Sequence, residues 1–452
     1  MQCHGKDFSD EREVVLGLDF GTSAAKVVIG DAALGKAFAV PFADQMGIER
    51  YLLPCRLYES DGVYSLHRGD QTHRDLKLAL IAEPTDATLQ ARVVAFLALV
   101  IRHARGWLFA QHADIYRTTH LVWKLVVGLP AATHLKDDLS LVFAETSLAA
   151  WLVAGGPEFV DRQSVDAALL RSRELTRSLE RRAEAEDVEV DVVPEIAAQI
   201  YGFVNSTSFD KKAENLFLMV DVGAGSVDSS LFHVRPARGG KWDFEFFTSV
   251  VEPHGAMNLH RHRIRWWEEA LSKPGVRADG LAQALNRLKF PTDRLAPLPN
   301  GYSSYFDDVT VTFDDNRKDP DETFFAKKVL TQVRGQTYWR TWKDGFLPQS
   351  SLRGIPVFFC GGGTRIPFYQ RLRGELQSMP NFSWLKATPR VIDIPQNLEA
   401  PGLLRDDFDR LTVAYGLSFL EVGKITKSIP QPKITVNPVS SWRESYVDKD
   451  HC

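Results

Sequence analysis

A strand–turn–strand pattern occurs twice in this 452-residue chain, and it restricts the possible folds more than any other motif of the sequence. In the first copy, the apolar run Val14–Leu18 leads into Asp-Phe-Gly-Thr-Ser, and the apolar run Ala25–Ile29 follows. In the second copy, Leu216–Val220 leads into Asp-Val-Gly-Ala-Gly-Ser, and Val227–Val234 follows. A supersecondary unit that recurs at two distant places indicates a duplicated lobe. The pattern therefore predicts two β-hairpins of the same kind, one in each lobe.

Each turn opens with Asp-x-Gly, which favours the binding of an anion. Glycine supplies backbone angles that are closed to other residues, and it lets main-chain N–H groups approach a phosphate. The hydroxyls of Thr22, Ser23 and Ser226 add donors. If Asp19 and Asp221 face the same phosphates, their charges are tolerable only with a cation between them, normally hydrated Mg²⁺. Either hairpin alone is also explained as a plain hairpin with a turn glycine, but two in order favour a shared nucleotide site.

A third element is a glycine-rich segment in the last quarter of the chain. The buried-strand pattern Val357–Cys360 enters Gly-Gly-Gly-Thr-Arg-Ile-Pro, and a helix-like pattern follows at Phe368–Leu376. A glycine-rich turn between a strand and a helix allows a flat ring or a phosphate to approach the backbone closely. By itself this segment is also explained as a structural turn.

With these three elements the chain resembles a known superfamily, which comprises actin, the 70-kilodalton heat-shock chaperones and the sugar kinases. The two hairpins are similar to its phosphate-1 and phosphate-2 motifs, and Gly361–Pro367 is similar to its adenosine motif. Val192–Gly202 resembles its first connecting helix, and Thr412–Leu417 resembles its second. The resemblance covers residues 13 to 423 and is strongest to the nucleotide-binding domain of the heat-shock chaperones.

The resemblance implies an α/β, two-lobed actin-like ATPase fold, in which each lobe is a mixed sheet with flanking helices and an inserted subdomain. Lobe I would span residues 13–207, with its insert at about 38–119. Lobe II would span residues 208–423, with its insert at about 258–355. Residues 424–452 would form a polar, proline-containing tail, which is too short for the substrate-binding domain of a heat-shock chaperone. Strands that alternate with helices in each core fit this layered architecture.

Two other segments are distinctive. Ser164–Glu186 has the pattern of an amphipathic helix, which predicts either a solvated helix or a partner-binding arm. The second insert is rich in aromatic residues, which indicate either core packing or a recognition surface. These aromatic residues are Trp266, Trp267, Tyr338, Trp339 and Trp342.

The superfamily resemblance also implies roles for individual residues. Asp19 and Asp221 would hold Mg²⁺ through water molecules, and they would act in catalysis together with Glu195 and His73. The residues expected to contact ATP are Gly21, Thr22, Ser23, Gly223, Gly225, Ser226, Asp228, Gly255, Gly361, Gly362, Gly363 and Arg365.

Three departures from the chaperone pattern leave the rate of hydrolysis open. His73 stands where the chaperones place a catalytic lysine, and Arg74 and Lys77 are alternative cations. A valine replaces the glutamate that precedes the connecting-helix proline, so Glu195 either takes that role or caps the helix. Ala224 replaces a glycine in the second turn. Slow hydrolysis and binding without hydrolysis are both compatible with these changes.

The resemblance is compatible with three functions, because a fold does not fix a function. The favoured one is an ATP-binding and ATP-hydrolysing switch that acts on a protein partner, as the heat-shock chaperones do. The second is an actin-like ATPase that assembles with itself into filaments, as plasmid-partition actins do. The third is a small-molecule phosphotransferase, for which no separate acid is evident as a base toward a sugar hydroxyl.

Composition limits the partners and the location of the protein. A net charge of −4 gives no electrostatic argument for binding to nucleic acid or to an anionic membrane. The charged N-terminus does not have the pattern of a signal peptide, and the most apolar run, Val93–Ile101, is too short to span a bilayer. The four cysteines are scattered and favour a reducing compartment. We therefore expect a cytoplasmic protein.

Overall fold

The computed structural model describes residues 10–129, 137–156, 159–177, 188–206, 209–210, 213–272, 279–289, 298–306, 319–379 and 382–427. The chain divides into two units. Unit 1 comprises Met1–Ala213, Arg235–Phe244 and Ile392–Ile425. Unit 2 comprises Glu214–Val234, Glu245–Val391 and Thr426–Cys452. Unit 1 thus includes residues 235–244 and 392–425 in addition to the N-terminal part of the chain.

The strands are named in chain order. They are β1 (Asp10–Phe20), β2 (Ala24–Asp31), β3 (Lys36–Ala39), β4 (Leu53–Pro54), β5 (Leu57–Ser60), β6 (Val63–Ser65), β7 (Gln71–His73), β8 (Thr119–Leu129), β9 (Val188–Pro194), β10 (Leu216–Val222), β11 (Val227–Pro236), β12 (Trp242–Glu252), β13 (Pro356–Cys360), β14 (Thr388–Arg390), β15 (Leu398–Glu399) and β16 (Val422–Lys427).

The main sheet of unit 1 mixes parallel and antiparallel pairs. Its order is β15-β3-β2-β1-β8-β9, and β4 also pairs with β2. The pairs β1/β2 and β2/β3 are antiparallel, whereas β1/β8 and β8/β9 are parallel. A small separate sheet has the order β6-β5-β7, with both pairs antiparallel.

The sheet of unit 2 repeats this arrangement. Its strands follow in the order β14-β13-β10-β11-β12. The pair β10/β11 is antiparallel, and the pairs β10/β13 and β13/β14 are parallel. The central strand of each sheet, β1 or β10, therefore has its hairpin partner on one side and two successive parallel strands on the other. The first residues of β12 lie in unit 1, where the Trp242 N–H donates to the Glu421 carbonyl oxygen (3.0 Å) next to β16.

Helices flank both sheets. They are α1 (Leu76–Ala82), α2 (Ala87–Gln111), α3 (Ala113–Tyr116), α4 (Asp137–Gly155), α5 (Arg162–Arg177), α6 (Glu195–Val204), α7 (Ala256–Leu271), α8 (Asp279–Leu288), α9 (Pro320–Phe324), α10 (Arg340–Lys343), α11 (Gln349–Leu352), α12 (Pro367–Gln377) and α13 (Thr412–Leu417). A π-helix spans Phe325–Trp339, and 3-10 helices span Gly47–Tyr51, Arg238–Gly240, Tyr302–Tyr305, Gly362–Arg365 and Arg405–Arg410. The predicted α/β class, with mixed sheets and flanking helices, is confirmed.

The core of unit 1 forms around the long helix α2. Asp86 caps its N-terminus, because the carboxylate accepts the N–H groups of Thr88 (2.7 Å) and Leu89 (2.9 Å). The helix is apolar on several sides, and its Phe96 ring packs against Phe20 of β1 with centroids 5.8 Å apart. Among the described helices, two are long and apolar enough to cross a membrane, Ala87–Gln111 and Asp138–Gly155. In each, 56% of the apolar window is buried inside the fold, which is consistent with core helices of a soluble protein.

Helix α13 belongs to unit 1 because it packs too closely on β1 and α6 to be separated from them. A Cβ atom added to Gly17 of β1 would lie 2.5 Å from the carbonyl oxygen of Ala414. A Cβ atom added to Gly416 would lie 1.9 Å from the carbonyl oxygen of Ala198. Both positions therefore require glycine, since any side chain would force the elements apart.

In unit 2, the π-helix packs against the β10/β11 hairpin. Its Gln332 donates through Nε2 to the carbonyl oxygen of Val227 (2.7 Å) and accepts from Nδ1 of His254 (2.9 Å). Two of the aromatic residues noted in the second insert, Trp267 and Trp339, are buried in the core of this unit.

The two segments that the sequence singled out lie partly within the described residues. Of Ser164–Glu186, residues 164–177 are all of helix α5 except its first two residues, and residues 178–186 lie outside the described residues. Helix α5 buries Val165 and Leu169 in the core of unit 1. Of the predicted tail, residues 424–427 belong to β16, and residues 428–452 lie outside the described residues.

Candidate functional site

The first Asp-x-Gly turn joins β1 to β2. Asp19 lies opposite Lys26 in the antiparallel register, and the Lys26 ammonium donates to Asp19 Oδ2 (2.7 Å). Asp19 is 4% exposed, so this ion pair lies within the protein. Gly21 is required by the tight turn, because a Cβ atom there would lie 2.6 Å from the Ala24 carbonyl oxygen. The hairpin thus places a cation directly beside the aspartate that the sequence assigned to Mg²⁺.

The main-chain donors of this turn are available to a ligand. The N–H groups of Gly21, Thr22 and Ser23 donate to no protein acceptor within the described part of the chain. Three consecutive N–H groups in a glycine turn form a concave group of donors that suits a phosphate. Thr22 and Ser23 also carry side-chain hydroxyls at this turn.

A second ion pair lies close to the first. The buried Lys77 of α1 donates to Oε1 of Glu195, the first residue of α6. Gly128, at the end of β8, leaves room for this glutamate, because a Cβ atom there would lie 2.8 Å from its Cγ. Burial by itself would lower the pKa of Lys77, but the carboxylates of Glu195 and Asp19 outweigh it and raise that pKa. Lys77 is therefore protonated at neutral pH.

Glu195 and Cys55 complete this group of side chains. Burial raises the pKa of Glu195, and the Lys77 ammonium opposes that rise. The Cys55 thiol donates to the Gly21 carbonyl oxygen (2.9 Å), and burial raises its pKa to about 12. The thiol is consequently neutral and holds the turn in place. We call the residues Asp19, Lys26, Cys55, Lys77 and Glu195 the unit 1 cluster.

The structure does not bring His73 into contact with this cluster. His73 lies on β7, which pairs with β5, and its Nε2 contacts Glu59 Oε2 (2.8 Å). The lysine that reaches Glu195 is Lys77, which the sequence offered only as an alternative to His73. The sequence reasoning missed Lys26. The antiparallel register of a hairpin with this turn places residue 26 opposite Asp19, so the residue could have been identified from the sequence.

The second Asp-x-Gly turn joins β10 to β11 and has the same register. Asp221 lies opposite Asp228, which is buried and accepts from the Ser230 hydroxyl (3.4 Å). The residue opposite the first aspartate of the turn therefore differs between the two hairpins. It is Lys26 in the first hairpin and Asp228 in the second. Within the described residues, the N–H groups of Ala224, Gly225 and Ser226 also donate to no protein acceptor.

The N-terminus of α7 holds the second turn in place by donating hydrogen bonds to the carbonyl groups of that turn. The Ala256 N–H donates to the Gly223 carbonyl oxygen (3.1 Å), and the Met257 N–H donates to that of Ala224 (2.8 Å). A Cβ atom on Gly255 would lie 2.5 Å from the Ser226 nitrogen, so this position also requires glycine. These bonds occupy carbonyl groups of the turn, while the N–H groups of Ala224, Gly225 and Ser226 keep no acceptor among the described residues.

The glycine-rich segment packs directly on the second hairpin. Gly361 follows β13 with a φ of +82°, and a Cβ atom there would lie 2.1 Å from Asp221 Oδ1. A Cβ atom on Gly363 would lie 2.4 Å from Val222 Cγ1. Gly362 and Arg365 belong to the 3-10 helix that follows. Unit 2 thus brings Asp221, Gly361 and Gly363 together.

Within the described residues, no group of three or more His, Cys, Asp or Glu side chains is arranged to hold a metal ion. This arrangement excludes a closed protein cage there, but not magnesium held through water, which needs only one or two carboxylates and the substrate phosphates. No protein-family model matches this chain, and no curated protein matches it.

Proposed function

We propose that this protein is an ATP-binding switch with an actin-like ATPase fold, related to the nucleotide-binding domain of the heat-shock chaperones and acting on a protein partner. One observation carries the proposal. Two glycine turns, each beginning with an aspartate, present three consecutive main-chain N–H groups that have no acceptor among the described residues. Consecutive main-chain N–H groups without an acceptor can donate to a bound anion, so a matched set in two equivalent turns favours an anionic ligand such as a polyphosphate.

The repeated strand order supports the actin-like fold. Both sheets place the Asp-x-Gly hairpin on one side of a central strand and two parallel strands on the other. A duplicated α/β lobe of this kind is the arrangement that the superfamily resemblance implies.

The residues of the two turns fit the phosphates of ATP. The N–H groups of both turns, with the hydroxyls of Thr22, Ser23 and Ser226, would donate to phosphate oxygens. The ammonium groups of Lys26 and Lys77 would offset the negative charge of those oxygens. Bound Mg²⁺ would neutralise further phosphate charge, held through water by Asp19 and Asp221.

Hydrolysis would depend on Glu195. Its carboxylate can accept a hydrogen bond from a water molecule and so orient it toward the terminal phosphate. The neighbouring Lys77 ammonium favours the ionised form of that carboxylate and opposes the rise in pKa that burial causes. Positioning and charge stabilisation supply most of the catalysis in phosphoryl transfer, so a slow ATPase is what this set of side chains can support.

The direct test is the thermal unfolding midpoint with and without millimolar ATP and Mg²⁺. A ligand at a hundred times its Kd stabilises the native state by about 2.7 kcal/mol, so the midpoint should rise by several degrees. Lys26→Met should reduce the rise, whereas Lys36→Met, an exposed lysine on the neighbouring strand β3, should not. No rise in the folded parent protein would refute nucleotide binding.

Light scattering in ATP and Mg²⁺ then separates the functions. A switch that acts on a partner stays monomeric, and a rise in scattering that reverses with hydrolysis would instead indicate a filament-forming ATPase. Transfer of phosphate to a sugar, in the absence of either behaviour, would indicate a phosphotransferase.

A further inference from the structure

A cavity of about 410 Å³ opens between helices α2, α4 and α5 of unit 1. Much of its wall is apolar and comes from Leu152 and Val153 of α4 and from Ala167 and Ala168 of α5. Phe159, which is 80% exposed, also lines the cavity. A concave site of this volume, with mostly apolar walls and few polar groups, is typical of small-molecule binding.

The walls are fixed by hydrogen bonds that need no ligand. Arg102 of α2 donates through Nη2 to the carbonyl oxygens of Val153 (3.0 Å) and Gly156 (3.2 Å), at the C-terminal end of α4. At the N-terminal end of α5, the Asp161 carboxylate accepts the Ser164 N–H (2.7 Å), and the Ser164 hydroxyl accepts the Asp161 N–H (3.2 Å). Both helix ends are therefore held in position, and the cavity is preformed.

The charged side chains of the wall select the sign of a ligand. Hydrogen bonds from Ser164 lower the pKa of Asp161, whose carboxylate is committed to the cap of α5. Arg171 lies on the wall, is exposed, and makes no hydrogen bond or ion pair within the part of the chain that the structure describes. Together with Arg102, it gives the wall two guanidinium groups against one occupied carboxylate. The cavity therefore favours an anion over a cation.

We propose that this cavity binds a small amphipathic carboxylate, with an alkyl or aryl body. The apolar body would lie against Leu152, Val153 and Ala168, and the carboxylate would meet the guanidinium of Arg171. Guanidinium and carboxylate groups form paired, charge-assisted hydrogen bonds, which supply both affinity and orientation. The inference does not rest on the proposed nucleotide function, because none of the cavity residues belongs to the unit 1 cluster.

The test uses the full chain and the fluorescence of 8-anilinonaphthalene-1-sulfonate, an aromatic anion that reports apolar sites. We expect saturable dye binding that decanoate reverses and that decyltrimethylammonium, a cation with the same chain, does not. Ala167→Trp would fill the cavity from an exposed position and should abolish the decanoate-sensitive signal. Ala110→Trp, at an exposed position of α2 outside the cavity, should leave it unchanged.

Removal of the charge gives a second, independent measurement. Arg171→Met should raise the apparent Kd of decanoate about tenfold, because a hydrogen bond to a charged group is lost. Arg353→Met, also at an exposed arginine, should leave the Kd unchanged. Circular dichroism of each variant confirms that it is folded. The proposal is wrong if decanoate displaces no dye from the parent, if Ala167→Trp binds as the parent does, or if the cation competes as well as decanoate.

Discussion

Replacing Lys77 by methionine should destabilise the protein by about 3 kcal/mol, because a buried carboxylate loses its cation. The side chains of Lys77 and Glu195 are only 5% and 15% exposed. The substitution leaves two carboxylates, those of Asp19 and Glu195, with Lys26 as the remaining ammonium of the unit 1 cluster. Breaking a buried pair by removing one partner costs roughly 3–5 kcal/mol. We expect the low end, since Glu195 keeps some contact with solvent and methionine retains the packing of the lysine stem.

The loss should depend on pH in a defined direction. Burial raises the pKa of Glu195, and in the variant the Lys77 ammonium no longer opposes that rise. A carboxyl with a higher pKa in the folded state contributes stability that is fully present below its unfolded pKa of about 4.3. That contribution is lost as the pH rises through the folded pKa. The variant should therefore be least stable, relative to the parent, at neutral pH and should recover as the solution becomes acid.

Urea unfolding of four proteins measures this effect: the parent, Lys77→Met, Glu195→Gln and the double variant. The double variant should be more stable than Lys77→Met alone, because the glutamine substitution removes the unpaired charge. Lys241→Met, at an exposed lysine, should change the free energy of unfolding by less than about 0.5 kcal/mol. A loss below about 1 kcal/mol for Lys77→Met, the value of an exposed pair, would refute the reasoning, as would a double variant no more stable than the single one.

Three further predictions concern the backbone, the thiol and catalysis. Gly361→Ala should lower the free energy of unfolding by at least about 2 kcal/mol. Gly354→Ala should lower it less, because Gly354 is also at positive φ but an added Cβ atom would meet no atom within 4 Å. Thermal denaturation of the two variants tests this difference. Cys55 should react with iodoacetamide only after unfolding, because burial raises its pKa to about 12; mass spectrometry of native and urea-treated protein would show this, and rapid labelling of the native protein would contradict it. Glu195→Gln should lower the ATPase rate roughly ten- to a thousandfold. His73→Ala should leave the rate unchanged, because the His73 side chain pairs with a glutamate on β5. A large loss of activity in the histidine variant would support the catalytic role that the superfamily resemblance implies for His73.

The local structures and the class of the fold could be predicted from the amino-acid sequence. The apolar runs on either side of each Asp-x-Gly turn predict two hairpins, and the structure has them as β1/β2 and β10/β11. The prediction succeeds because strand periodicity and glycine turns depend on neighbouring residues alone. The position of Lys26 opposite Asp19 also follows from the hairpin register, so it was within reach of sequence reasoning.

The pairing of charges that are distant in the sequence could be known only from the folded chain. Lys77 and Glu195 are separated by 118 positions, and their contact depends on how α1 packs beside the start of α6. His73 lies only four positions before Lys77 in the sequence. Its side chain nevertheless contacts Glu59, because β7 pairs with β5. A spacing pattern cannot decide which of two neighbouring basic residues reaches a distant carboxylate, since both are polar side chains at similar positions in the sequence. Strand pairing and helix packing determine which side chains lie near each of these residues. A buried charge must be paired, so its partner is an opposite charge that this packing places next to it.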